Sequence, residues 1–191
     1  MRDRALSTPF RKYGLRLRGT LAGILLLAAL PVLALEVGAN APDFAARASL
    51  GGKEFRFSLS EALAKGPVVL YFYPAAFTSG CTIEAHKFAE ASDRFRELGA
   101  TVVGISGDDI DTLHKFSVSE CRSKFAVAAD PEFAIARSYD AKVLLLPYAK
   151  RISFVITPDA KIRYVHSAMS PDEHVTKTMA AVEAWRTENP G

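Results

Sequence analysis

The sequence predicts an α/β domain in which helices flank a mixed central sheet. Short apolar runs typical of buried strands alternate along the chain with longer stretches that carry apolar residues at helical spacing. Near the end, two strand-like segments are separated by the turn sequence TPDA at 157–160, which predicts an antiparallel hairpin. A helical pattern then closes the chain. Strands that alternate with helices and end in a hairpin favour an α/β sandwich.

The first half of the domain is predicted to contain two strands and two helices. FRFSLSEALA at 55–64 indicates a strand that runs into a helix capped by Ser60. PVVLYFYP at 67–74 is an unbroken apolar and aromatic run, as expected of a strand buried on both faces. From 82 to 98 apolar residues recur at helical spacing, and Gly99 ends the helix.

The second half continues the alternation. TVVGIS at 101–106 and FAVAAD at 125–130 are further strands, separated by a helix over 108–124 that opens with acids. The remaining predicted elements are a short helix over 131–141 with Pro131 at its start, hairpin strands at 151–156 and 161–166, and a closing helix over 170–188. This order is that of the thioredoxin-like architecture, although no CxxC sequence is present.

The first 35 residues differ from the rest in charge and hydropathy. Residues 1–20 hold six basic residues and one acid, which leaves 18 basic and 20 acidic residues in the remaining chain. The sequence pI of 8.9 therefore belongs largely to this leader and gives no reason to expect nucleic-acid binding. Leu21–Leu35 is an apolar stretch of 15 residues, shorter than the roughly twenty that usually span a bilayer.

This pattern predicts a signal peptide cleaved near Val32–Ala34, with an uncleaved membrane anchor as the open alternative. We accordingly expect residues 1–35 to direct export to the periplasm and residues 36–191 to form the domain. Membrane contact is then expected only through the leader. An oxidising compartment lets cysteine pairs persist, so Cys81 and Cys121 could be no more than a structural disulfide.

The sequence around Cys81 supports a chemical role instead. Pro74, Thr78 and Cys81 form the pattern Pro-x-x-x-Thr-x-x-Cys between a buried strand and a helix. Only a thiolate attacks as a nucleophile, and the free N–H groups and partial positive charge of a helix amino terminus favour the anion. The hydroxyl of Thr78 can donate to the thiolate or to a bound oxygen, and Pro74 can shield the sulfur from water.

This motif resembles the active-site motif of the peroxiredoxins, which are thiol peroxidases of thioredoxin-like fold. The resemblance extends to LEVGANAPDF, which is similar to the family's amino-terminal strand and turn, and to VVGISGD, VAADP and KRISFVITPDAKIRYV. Together these segments cover most of residues 36–166. CTIE at 81–84 is most similar to the Q-type branch, the bacterioferritin comigratory proteins. The resemblance implies reduction of hydrogen peroxide or alkyl hydroperoxides by Cys81, no metal or organic cofactor, and a monomer or weak dimer.

The same resemblance assigns two further residues to the site. Cleaving an O–O bond places negative charge on the leaving oxygen, so a fixed cation is expected beside it. The family resemblance indicates Arg151 for this role and Glu84 as the acid that orients Arg151.

The sequence departs from the Q-type pattern at His86, where many members have a second cysteine. Five residues on from Cys81 is about 140° around a helix, so we expect His86 on the surface. Cys121 is then the only candidate to resolve a sulfenic acid at Cys81, with a thioredoxin-like dithiol as the reductant. An unreactive Cys121 with an external resolving thiol, or a permanent Cys81–Cys121 disulfide, remain alternatives.

A different class also fits an exported thioredoxin-like domain, namely a copper chaperone or thiol–disulfide protein. Copper binding would need two close thiolates and a reaching imidazole. The chain offers one cysteine in the turn, and His114, His166 and His174 stand in no ligand spacing. The sequence therefore favours the peroxidase.

Overall fold

The computed structural model describes residues 35–190 of the chain. The predicted leader, with its cleavage site, lies outside the described residues. The elements are β1 (Ala45–Leu50), β2 (Lys53–Ser58), α1 (Leu59–Leu63), β3 (Val68–Phe72), α2 (Ser79–Glu97), β4 (Thr101–Ser106), α3 (Ile110–Ser119), β5 (Ala126–Ala129), α4 (Ala134–Ser138), β6 (Ile152–Ile156), β7 (Ile162–Ser167) and α5 (His174–Glu188). Within residues 35–190, none of these helices has the length and hydropathy needed to cross a bilayer.

One seven-stranded sheet runs through the domain in the order β2-β1-β5-β4-β3-β6-β7. The three central strands β5, β4 and β3 are parallel, and each outer strand pairs antiparallel with its neighbour. The prediction of a mixed sheet of thioredoxin-like type is confirmed. In particular, β6 and β7 form the predicted hairpin around residues 157–160.

Side chains of β3 alternate between two cores, one on each face of the sheet. Val68 and Leu70 pack with α1 and α4, whereas Val69 and Tyr71 pack with α2, α3 and α5. All five residues of β3 are buried, which explains its unbroken apolar sequence. The strand therefore delivers the following turn to the amino end of α2 from a rigid position.

One predicted strand and two predicted helix starts are corrected by the structure. The first strand is Ala45–Leu50, whereas the expected strand within 35–44 is reduced to a single bridge from Asn40 to Lys161. The helix cap is Ser58, whose hydroxyl accepts from the backbone N–H of Glu61, so the assignment of Ser60 was wrong. Helix α4 begins at Ala134, not at Pro131, because the carboxylate of Asp130 accepts the N–H groups that open this helix.

The position of Cys121 also differs from the expectation. Helix α3 ends at Ser119, so Cys121 lies just beyond the helix rather than late within it. Arg122 and Ser123 adopt left-handed backbone conformations, with φ of 48° and 55°, and stop the helical course of the chain. Two consecutive non-glycine residues with left-handed backbone therefore end the helix, and no sequence pattern predicts this ending.

Candidate active site

The turn between β3 and α2 places Cys81 in the first turn of a helix. Helix α2 starts at Ser79, and Thr78 is its N-cap residue. The side chain of Cys81 is almost fully buried, at 1% exposure. The sulfur is therefore shielded from solvent and lies near the free N–H groups and partial positive charge at the amino end of a 19-residue helix.

Pro74 and Thr78 lie in the turn itself. Pro74 is half-buried two residues after the end of β3, and Thr78 is exposed. The hydroxyl of Thr78 donates to the carbonyl oxygen of Ala75 at 2.9 Å, not to Cys81. Its oxygen lone pairs remain available, and donation to a peroxide requires the hydroxyl to rotate away from Ala75.

An acid that the sequence analysis did not single out holds this turn. The carboxylate of Asp108 accepts the backbone N–H of Ala76 at 2.8 Å and the hydroxyl of Ser106 at 2.6 Å. Because Ser106 ends β4 beside β3, the two strand ends and the turn are tied together. An acid two residues after a buried strand is the only signal of this role in the sequence.

Arg151 reaches Cys81 from the strand next to β3. It precedes β6 directly, is buried, and donates from Nη2 to the sulfur of Cys81 at 3.4 Å. Its Nη1 donates to Oε2 of Glu84, and its Nε donates to the carbonyl oxygen of Met169 at 3.0 Å. Burial opposes the charge, but Glu84 and Cys81 outweigh it and raise the pKa of Arg151. The guanidinium is thus a fixed cation against the sulfur.

Gly80 makes this approach possible. A Cβ atom at this position would lie 2.9 Å from Nη2 of Arg151, which is closer than such contacts occur. A glycine occurs in the first turn of a helix for many reasons, so the sequence alone does not indicate this role of Gly80.

Glu84 lies one turn after Cys81 on the buried face of α2. Burial raises its pKa to about 7, against the opposing effect of Arg151. Its Oε1 atom has no hydrogen-bond partner, and the nearest ring nitrogen is Nδ1 of His174 at 3.6 Å. The structure therefore brings Cys81, Arg151 and Glu84 together, as the resemblance implied, and adds His174 to the group.

Cys121 lies in the same apolar cluster as Cys81, and both are free thiols. It is fully buried, and burial, with a contribution from Glu120, raises its pKa. Tyr71 and Tyr73 belong to the same cluster. Cys121 is therefore a protonated thiol in this closed arrangement.

Two ion pairs and one histidine–carboxylate contact hold the segment 120–124, which carries Cys121, against one face of α2. They join His86 to Glu120 at 2.9 Å, Arg122 to Glu90 at 3.2 Å, and Lys124 to Asp93 at 3.2 Å. We refer to these three contacts as the ion-pair row. His86 is partly exposed and faces Glu120, as expected of a histidine turned away from Cys81.

Among residues 35–190, the structure contains no group of three or more His, Cys, Asp or Glu side chains placed to hold a metal ion. The chemistry that this arrangement supports is that of a buried thiolate paired with a guanidinium.

Comparisons with known proteins agree on one family. Residues 37–165 match the model of the AhpC/TSA family. "Putative peroxiredoxin MT1643" of Mycobacterium tuberculosis is 38% identical over 133 residues, which are 68% of this chain and 86% of that protein. "Peroxiredoxin Q, chloroplastic" of Oryza sativa is 30% identical over 149 residues, 77% of this chain and 66% of that protein. The crystal structure of peroxidoxin BcpB from Mycobacterium tuberculosis superposes with a TM-score of 0.73 at 35% identity, covering 78% of this chain and 97% of that one.

Proposed function

This chain belongs to the AhpC/TSA family, the peroxiredoxins, and is a thiol peroxidase, and we propose that Cys81 is the residue that peroxide oxidises. The observation that carries the assignment is the 3.4 Å contact from Nη2 of Arg151 to the sulfur of Cys81 in the first turn of α2. The copper-chaperone alternative is not favoured, since the relatives and structures that match are peroxiredoxins.

The first chemical step follows from this geometry. The thiolate of Cys81 attacks one oxygen of ROOH, so that an S–O bond forms and the O–O bond breaks. The electron pair leaves on RO⁻, which takes a proton from water and departs as ROH. Arg151 neutralises the negative charge as it moves from the sulfur to the leaving oxygen, and Thr78 adds a donor once its hydroxyl has turned. Glu84 orients Arg151, and Pro74 limits the access of water.

Cys121 is proposed to resolve the sulfenic acid. Its thiolate attacks the sulfur of Cys81, an S–S bond forms, and the hydroxide that leaves is protonated to water. Cys121 is buried and protonated in the closed arrangement, so it has to leave its position before it reacts. A dithiol of thioredoxin-like type then reduces the disulfide.

Mass spectrometry of the reduced protein after one equivalent of hydrogen peroxide tests this cycle. We expect an intramolecular disulfide in the wild type, sulfenic or sulfinic acid at Cys81 in Cys121→Ser, and no oxidation in Cys81→Ser. A wild type that accumulates sulfinic acid without a disulfide would assign resolution to an external thiol. A Cys81 that stays reduced in excess peroxide would refute the proposal.

We further propose that the domain is exported to the periplasm, with residues 1–35 as leader or anchor. The support is the basic stretch followed by 15 apolar residues. Full-length protein expressed in a host with a periplasm should be recovered there with its amino terminus near Ala34. A full-length chain in the membrane fraction would indicate an anchor, and a full-length chain in the cytoplasm would contradict export.

A further inference from the structure

A buried contact behind Arg151 is not used by the mechanism above. Oε1 of Glu84 lies 3.6 Å from Nδ1 of His174 and has no hydrogen-bond partner. Neither side chain is exposed to solvent. A buried carboxylate oxygen without a hydrogen-bond donor destabilises the folded state. The cost of this contact therefore depends on where the pair carries its protons.

The neighbours of His174 determine which of its nitrogens carries hydrogen. Nε2 lies 3.0 Å from the carbonyl oxygen of Ala168, and a carbonyl only accepts, so Nε2 is protonated. In the neutral ring Nδ1 then has a lone pair, which accepts the hydroxyl of Ser153 at 2.7 Å. Nδ1 therefore offers Glu84 no proton.

Glu84 consequently faces an electronegative nitrogen that offers no proton on one side, and Arg151 on the other. Were Glu84 ionised, the negative charge on its Oε1 would lie 3.6 Å from the electronegative Nδ1 atom in a buried site, and the two atoms would repel each other. A proton on Oε1 removes this repulsion. Burial lowers the pKa of His174 to about 4 and raises that of Glu84 to about 7, so the proton belongs on Glu84 rather than on the imidazole.

We propose that His174 is a positioning residue that holds Glu84 in its neutral form in the reduced enzyme, which leaves the charge of Arg151 to the thiolate of Cys81. The inference rests on the proposed function of Cys81. Arg151 is a single cation between two acids. With both ionised, the buried site would carry a net negative charge, whereas a neutral Glu84 leaves a balanced pair of guanidinium and thiolate.

Other titratable groups around the pair do not change this balance. Burial raises the pKa of Tyr71, from β3, far above its ordinary value, and lowers that of His166, from β7, so both are neutral at neutral pH. On α5, Glu173 and Lys177 pair with each other at 3.1 Å on the surface. None of these four groups competes with Arg151 for Glu84.

Infrared difference spectroscopy at about pH 6, between the ordinary and the raised pKa of the carboxyl, tests the proposal directly. The C=O band of a protonated carboxylic acid should appear in the reduced wild-type enzyme and be lost in Glu84→Gln. In His174→Gln, the amide replaces the Nε2 donor to Ala168 but leaves no acceptor at Nδ1, so this band should weaken. His174→Asn, whose amide oxygen reaches the Nδ1 position, should keep it. Absence of a Glu84 band in the wild type would overturn the proposal, whatever the variants do.

The dependence of the peroxide reaction on pH gives the second readout. In His174→Gln, Glu84 ionises at lower pH and neutralises Arg151, so the rise of the rate with hydrogen peroxide should move up by roughly one pH unit. In the Glu84→Gln background the same substitution should cause no further shift. An equal shift in both backgrounds would mean that His174 acts only on structure, and the proposal would fail. The infrared band is measured without peroxide. A Glu84 band in an enzyme whose Cys81 does not react with peroxide would therefore refute the proposed function but not the neutral state of Glu84.

Discussion

At the scale of single residues, the proposed reactivity of Cys81 depends on the contacts that fix the guanidinium of Arg151. Each of the three nitrogen positions of Arg151 has its own partner, namely Cys81, Glu84 and the carbonyl of Met169. A lysine carries one charged nitrogen and cannot serve these partners from one fixed plane. The position therefore demands arginine rather than a positive charge alone.

We expect Arg151→Lys to lower the rate constant with hydrogen peroxide by about 10²- to 10³-fold, as for the loss of one preorganised donor. Stopped-flow measurement of thiol oxidation gives the rate. Arg163→Lys is the matched control, because Arg163 makes a surface pair with Glu188 and should leave the rate unchanged. A rate for Arg151→Lys within a factor of two or so of the wild type would refute the role of the fork-shaped contact.

Gly80→Ala separates helix stability from catalysis. Alanine is the better helix former by about 1 kcal/mol, but its Cβ would displace Nη2 of Arg151 from Cys81. We expect a slower peroxide reaction without a corresponding loss in the free energy of unfolding, measured in urea. A variant that keeps the wild-type rate would show that the 2.9 Å approach is not critical.

At the scale of elements, the ion-pair row controls how easily the segment that carries Cys121 separates from α2. The pairs are partly exposed, and such pairs contribute about 0.2 to 1 kcal/mol each. Each pair is broken when the segment moves, whereas the pairs within α2 are kept. In the proposed cycle, the row therefore opposes the movement of Cys121 toward Cys81.

We expect Glu90→Gln, which removes the partner of Arg122, to speed disulfide formation by about two- to five-fold. Added salt should act in the same direction in the wild type by screening the row. Rapid-quench mass spectrometry after one turnover measures the rate. The control is Glu97→Gln, since Glu97 pairs with Arg94 inside α2. Equal acceleration by both variants would argue against the row.

How far sequence predicts structure also differs among the elements. The strand over 101–106 matches its prediction because a largely apolar run between two helices is typical of a strand buried on both faces. Strand β1 escaped prediction because AARASL is small and polar, and its place depends on a Gly51–Gly52 turn and on pairing with β5. Arg151 was found through family resemblance. His174, which lies against Glu84, is on a separate element, where spacing gives no signal.

At the scale of the whole molecule, Glu84 and His174 affect the dependence of stability on pH in opposite directions. The pKa of Glu84 rises on folding from 4.5 to about 7, so the folded state binds an extra proton in that range and stability falls as pH rises. The pKa of His174 falls from 6.5 to about 4, so the folded state binds one proton fewer and stability rises with pH. Between about pH 4.5 and 6.5 the two effects cancel.

We therefore expect the contribution of this pair to the free energy of unfolding to be flat over that range. His174→Gln should leave a slope of about −1.4 kcal/mol per pH unit from Glu84, over a range that ends roughly one pH unit lower because Glu84 then ionises at lower pH. Glu84→Gln should leave a slope of the opposite sign from His174. Urea unfolding at several pH values, compared with the wild type, measures both. Parallel pH curves for the three proteins would contradict the assigned protonation of the pair.

The left-handed backbone at Arg122 and Ser123 has a consequence for the durability of the enzyme. Each such residue costs about 1 kcal/mol, and the cost ends when the segment opens. Glycine at position 123 would remove this strain and tighten the closed form. In the proposed cycle, the sulfenic acid at Cys81 would then persist longer before Cys121 reacts with it, and a second peroxide would oxidise it more often. Such a protein would be more robust to denaturation and more readily inactivated by its own substrate.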